Sequence, residues 1–146
     1  MLPDTAAVRV LTCDPPLTEP APLVQALDKL FAQFQREGRC TAWDIIVAVD
    51  GHAVVVAWDG PPTLSGCSHD KVNGVLNAFA PQALTSPPIL VAGRLWMRGA
   101  LKQAVAAGTV TAATPWWDVR ADRLGAWRQQ PQALEQGWLW PLVRPA

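Results

Sequence analysis

The residues of this chain best placed to do chemistry stand in a row: Ser65, Gly66, Cys67, Ser68, His69 and Asp70. They combine a thiol, two hydroxyls, an imidazole and a carboxylate with a glycine, directly ahead of an apolar run that reads as a helix. A loop of this kind feeding a helix presents backbone N–H groups without intrahelical acceptors, at the positive end of the helix dipole. Such a place favours anions, and Gly66 can take backbone angles that gather amides into an anion-binding nest. Reactive cysteines also sit in electropositive, accessible surroundings, so thiol chemistry is a second use of the loop. Cys67 is then the candidate catalytic residue, and Ser65, Gly66, Ser68, His69 and Asp70 are the candidate ligand-binding residues. A helix start asks for similar residues on structural grounds alone: Ser68 as N-cap, Asp70 against the dipole, Gly66 in the turn, and Cys67 as a small apolar packing group.

A Cys-His-Asp relay needs a base within hydrogen-bond reach of the thiol. Consecutive residues at a helix start point in different directions, so Cys67 and His69 are not expected to meet. His52, the other histidine, stands beside a hairpin turn and reads more readily as a solvated residue than as a partner. Asp44, Asp50 and Asp59 belong to one hairpin and would have to converge to hold a hard cation, but turn chemistry accounts for Asp50 and Asp59. No metal and no cofactor are expected.

The elements that position the loop follow from periodicity. Residues 7–11 alternate around Arg9 and end at a pair of prolines, which marks a first strand. Over residues 22–37, Leu23, Leu27, Leu30, Phe31 and Phe34 fall on one helical face, with Gly38 as the stop. Residues 43–49 and 52–58 are β-branched runs joined by Asp50-Gly51, the dipeptide of a type I′ hairpin turn. Val72, Val75, Leu76 and Phe79 mark a second helix ended by Pro81. Residues 89–96 read as a further strand, with Gly93 as a bulge or close approach.

The order β-α-β-β-α-β predicts an α+β, ferredoxin-like fold: a four-stranded antiparallel sheet with both helices on one face. A C-terminal helical, tryptophan-rich extension follows, with helices near 98–107 and 121–129 and an extended stretch at 109–114. The chain of 146 residues suits a single domain, with the core at 1–96 and the extension at 97–146 packed on it.

Three segments read together resemble a family of small, uncharacterised bacterial proteins often labelled "ABC transporter ATPase". They are Val54-Val55-Val56-Ala57-Trp58-Asp59, then Ser65-Gly66-Cys67-Ser68-His69-Asp70, then Ala104-Val105-Ala106-Ala107-Gly108-Thr109-Val110-Thr111. The family's S-G-C-S-x-D element usually has an aliphatic residue where this chain has His69, so Cys67, Ser68 and Asp70 fit the pattern and His69 departs from it. The resemblance implies a shared fold and a site of interest at that element. The label itself implies a phosphate-binding P-loop, and no Gly-Lys pair occurs anywhere in the sequence.

Charge and composition narrow the partners. The formal net charge is +0, but residues 93–146 hold seven Lys/Arg against three Asp/Glu, and six of the eight tryptophans lie there too. Basic and aromatic residues interleave in this way in some single-strand nucleic-acid binders, although buried tryptophans are ordinary core and that reading is the weaker one. With no basic-apolar leader and no apolar run of roughly 18 residues, no membrane partner is expected and the cytosol is the expected location. Three scattered cysteines indicate neither a disulfide framework nor a zinc ribbon. The functional expectation is a small domain that binds a small anion or does thiol chemistry at residues 65–70. Its alternatives are a non-catalytic protein-interaction or homodimerisation module and single-stranded nucleic-acid binding by the tail. The residues leave open whether the chain is an enzyme.

Overall fold

The computed structural model describes residues 1–60, 64, 66–80, 83–84 and 89–146. Within these, the chain is a mixture of helices and two antiparallel sheets. The first sheet is built from β1 (Ala7–Cys13), β2 (Ala42–Ala48), β3 (Ala53–Asp59) and β4 (Ala83–Leu84), in the order β2-β3-β1-β4. Each neighbouring pair is antiparallel, with Arg9 opposite Val56, Ile45 opposite Val56, and Thr12 opposite Leu84.

The central strand β3 is buried from Ala53 to Trp58. A near-continuous apolar run is what a strand covered on both faces needs, and both faces are covered. On one, Leu11, Cys13, Val54, Val56 and Trp58 pack beneath α1 (Ala21–Arg36) and α2 (Gly66–Phe79). On the other, Val8, Val10, Ala53, Val55 and Ala57 pack against Leu90, Val119, Leu124 and Trp127 of the C-terminal part of the chain. The predicted stripe of α1 is present: Leu23, Leu27, Phe31 and Phe34 are fully buried, and the two phenyl rings meet edge-on at 5.2 Å. Pro22 occupies the first turn of α1, where its missing N–H has no intrahelical acceptor to lose.

The hairpin between β2 and β3 turns at Asp50 and Gly51, both at positive φ, and is closed by the His52 N–H donating to the Val49 carbonyl at 3.0 Å. Gly51 could be no other residue here. Its φ is +88°, and a Cβ would stand 2.4 Å from the Leu17 carbonyl oxygen, whose own N–H donates to the Gly51 carbonyl at 2.9 Å.

Two expectations need correction. Residues 89–96 are not the fourth strand of the first sheet; β4 takes that place, pairing with β1 at Thr12 and Cys13. Residues 89–96 instead fold back on themselves as β5 (Ile89–Val91) and β6 (Arg94–Trp96), because Ala92 and Gly93 both adopt positive φ and form a two-residue turn. They join β7 (Pro115–Trp117) and β8 (Gln132–Ala133) in a second sheet of order β6-β5-β7-β8. The stretch 109–114, read as extended, is a turn in which the Thr111 N–H donates to Thr114 Oγ1 at 2.9 Å, and the extended residues begin one position later. A third cluster, with Val91, Leu101, Trp116, Leu134 and Val143, ties this sheet to α3 (Arg98–Ala106) and α5 (Trp140–Val143), while α4 (Leu124–Arg128) belongs to the cluster against the first sheet. No helix among the described residues is long and apolar enough to cross a membrane.

Candidate functional site

The first turn of α2 separates the residues that stand together in sequence. Ser65 lies outside the described residues. Gly66, Cys67 and Asp70 are exposed, His69 is half-buried, and Ser68 is fully buried. Helical spacing explains the split: Ser68, Val72 and Leu76 fall at i, i+4 and i+8, so Ser68 begins the stripe that faces the core. Ser68 is therefore not the N-cap. The helix starts two residues before it, and its hydroxyl is turned inward, where it accepts a hydrogen bond from Arg39 Nη1 at 2.7 Å.

Arg39 is the residue that sequence reasoning missed, and α1 puts it there. Glu37 closes α1, and Gly38 follows at φ +74°. The Gly38 N–H then donates to the Gln35 carbonyl at 3.1 Å and the Arg39 N–H to the Phe34 carbonyl at 2.8 Å, the paired bonds of a Schellman motif. The next residues are pinned as well. Cys40 is buried, with its Sγ 3.6 Å from the Phe31 carbonyl oxygen, and the Thr41 N–H donates to the Asp59 carbonyl at 2.8 Å. Gly60 permits this closeness, since a Cβ there would lie 2.8 Å from the Cys40 Cα. Held on both sides, the Arg39 side chain reaches across to α2.

Among the described residues the guanidinium also meets Glu37, whose Oε2 lies 2.9 Å from Arg39 Nε. The Glu37 carboxyl is held below its usual range, first by the hydrogen bond that Gln33 Nε2 donates to it at 2.9 Å and then by Arg39 and other nearby cations. The first-turn amides of Gly66 and Cys67 have no intrahelical acceptor, as in any helix. A guanidinium, these amides and an accessible thiol thus share the start of α2.

The two histidines are engaged elsewhere. His52 Nδ1 sits 3.0 Å from the Cys13 carbonyl oxygen, at the far end of the β1–β3 ladder, and the His69 ring meets Trp58 edge-on with centroids 6.2 Å apart. Neither forms a hydrogen bond with Cys67 among the described residues. The three cysteines divide by burial: Cys67 is exposed, whereas Cys13 and Cys40 are buried and burial raises the pKa of both thiols. Asp44, Asp50 and Asp59 do not converge, and no group of three or more His, Cys, Asp or Glu side chains suited to a metal ion occurs among the described residues.

In the tail, Trp116 and Trp127 are buried and Trp96, Trp117 and Trp140 are half-buried, so Trp138 alone of these six is exposed. Arg94 lies over Trp96 at 4.2 Å and Arg120 over Trp138 at 4.5 Å, which engages two of the basic residues with the chain's own rings. No family model, curated protein or solved structure matches the chain.

Proposed function

We propose that this chain is a small ferredoxin-like domain that binds a small anion at the first turn of α2, where the exposed Cys67 thiol is available to what binds. The observation that carries this reading is the Arg39 guanidinium, brought to within 2.7 Å of Ser68 Oγ at the start of α2. A cation and the helix-start amides of Gly66 and Cys67 attract the same kind of ligand, and charge-assisted bonds from a guanidinium to an oxyanion are among the stronger ones proteins make. An incoming anion competes with Glu37 for Arg39 and must tolerate Asp70 one turn into the helix, so the site suits a compact, strongly accepting group such as a sulfate, a phosphate or a carboxylate. The strand order β2-β3-β1-β4 with both helices on one face supports the fold name, and the S-G-C-S-x-D resemblance belongs to the same reading. A cytosolic location goes with it, since the reducing cytosol keeps thiols such as Cys67 unpaired.

Thermal unfolding with added sulfate or phosphate tests the proposal, with sodium chloride matched for ionic strength. Wild type gains stability with ligand concentration, and Arg39→Gln loses most of that gain. An equal gain in both proteins would refute anion binding at this place. A second reading, self-association, is favoured by β2, which stands at the sheet edge with seven residues, no proline and a single charge, Asp44. Light scattering that reports a monomer throughout the micromolar range would remove it.

A further inference from the structure

Trp116 is 3% exposed, and its indole Nε1 is buried without a hydrogen-bond partner among the described residues. An indole N–H can only donate, and a buried donor left unpaired is costly, so folded proteins keep few of them and each calls for a reason. Gly137 lies against the edge of the ring that carries this nitrogen. A Cβ on Gly137 would fall 2.4 Å from Cε2, the atom bonded to Nε1, and closer still to Cζ2. The glycine lets the chain cross the indole and brings no side chain that could accept from it.

Trp138 follows and meets the Trp116 ring edge-on, with centroids 5.9 Å apart. Between them opens a cleft of about 40 Å³, walled by Ile89, Trp116, Trp117, Val119, Trp138 and Leu139. Arg120 also lines it, with its guanidinium 4.5 Å from the centre of the Trp138 ring. The cleft therefore has aromatic and aliphatic walls, one of them the Trp116 ring whose unpaired donor lies buried at its edge, and an exposed cation beside another.

We propose that this cleft binds a small carboxylate with a short apolar body. The body lies among Trp117, Val119 and Leu139. One carboxylate oxygen accepts from the Trp116 indole N–H and the other faces Arg120. At roughly 10–15 Å³ per water-sized centre, the volume has room for about three, which suits a short branched chain. Trp138 is 42% exposed, so its ring is the wall with room to turn outward and open the way to Nε1. Apolar surroundings strengthen the bonds to the carboxylate once water is excluded. The proposal is independent of the anion site on α2, whose residues it does not use.

The test is a titration of the full chain with 4-methylpentanoate, followed through the indole N–H resonances, with the Trp116 signal assigned by its loss in Trp116→Phe. The Trp116 indole proton moves downfield saturably, 4-methylpentanamide binds more weakly, and Arg120→Gln weakens the carboxylate roughly fivefold. Because Arg120 is exposed, that variant remains informative even if Trp116→Phe fails to fold. A parallel titration with a tripeptide ending in leucine identifies the source: tighter binding than the free acid assigns the cleft to a chain end, weaker binding to a free metabolite. An unmoved Trp116 signal, movement of Trp138 alone, or equal affinity in Arg120→Gln would overturn the proposal.

Discussion

Arg39 Nη1 and Ser68 Oγ stand 2.7 Å apart, although 29 residues separate them in the chain. The bond joins the turn after α1 to the first turn of α2, so a contact that helps pack the two helices also sets a guanidinium at the helix start that carries the exposed Cys67. If the two side chains act as a pair, their effects on stability are not additive. A double-mutant cycle with Arg39→Met and Ser68→Ala is expected to return a coupling of about 1 kcal/mol, the value of a charged hydrogen bond reduced for an arginine side chain that is 38% exposed. Denaturant unfolding of the four proteins measures it, and strict additivity would deny the pairing.

The burial of the cysteines gives an order of reaction. Iodoacetamide should label Cys67 first in the folded protein, with Cys13 and Cys40 labelled only as the protein opens. Peptide mapping by mass spectrometry over a time course reads this directly. Early label on Cys40 would mean that the turn after α1 opens more readily than its hydrogen bonds suggest.

Burial raises the pKa of Cys13 and Cys40, and the sign of the consequence is fixed. Where the folded pKa is the higher, the folded state keeps protons that the unfolded state has released. The contribution is intact below the unfolded thiol pKa and is lost as pH rises through the folded values. Melting temperature should therefore fall as pH climbs past the usual thiol range, and Cys13→Ala should flatten that fall while costing some stability at neutral pH. Parallel melts from pH 7 to 10 of the two proteins provide the comparison.

Gly51→Ala is expected to be among the most damaging single-methyl changes in the chain. It combines positive φ with a Cβ placed 2.4 Å from the Leu17 carbonyl oxygen, a backbone atom that cannot swing aside. A loss of roughly 2–4 kcal/mol follows from the strain and the displaced segment together. Gly38→Ala, also at positive φ but with open space around the site, should cost less, about 1 kcal/mol. Equal losses at the two positions would separate the cost from the contact with Leu17.

Much of this arrangement is written locally. The stripe of Leu23, Leu27, Phe31 and Phe34, the Asp50-Gly51 turn and the stop at Gly38 each follow from spacing or from a residue's own backbone preference, and all are present. The assignment of residues 89–96 failed because a strand run interrupted by Ala92-Gly93 has two outcomes, one bulged strand or a tight hairpin, and pairing with Trp116 and Trp117 decided between them. The site divided in the same way. That Cys67 and Ser68 sit at a helix start was legible from the apolar run behind them. That Ser68 faces inward and meets Arg39 depends on how α1 and α2 pack, and no local pattern carries that information. Gly38 followed by an arginine was the available hint: the residue after a Schellman glycine leaves the helix in a defined direction, here toward α2.

The amide resonances of Gly66 and Cys67 test the central claim most directly. Titrated with sodium sulfate against sodium chloride of equal ionic strength, both N–H signals should shift saturably in wild type, with the curve displaced to several-fold higher concentration in Arg39→Gln. Shifts of the same size and midpoint in the two proteins, or none at either amide, would contradict an anion site built from Arg39 and the first turn of α2.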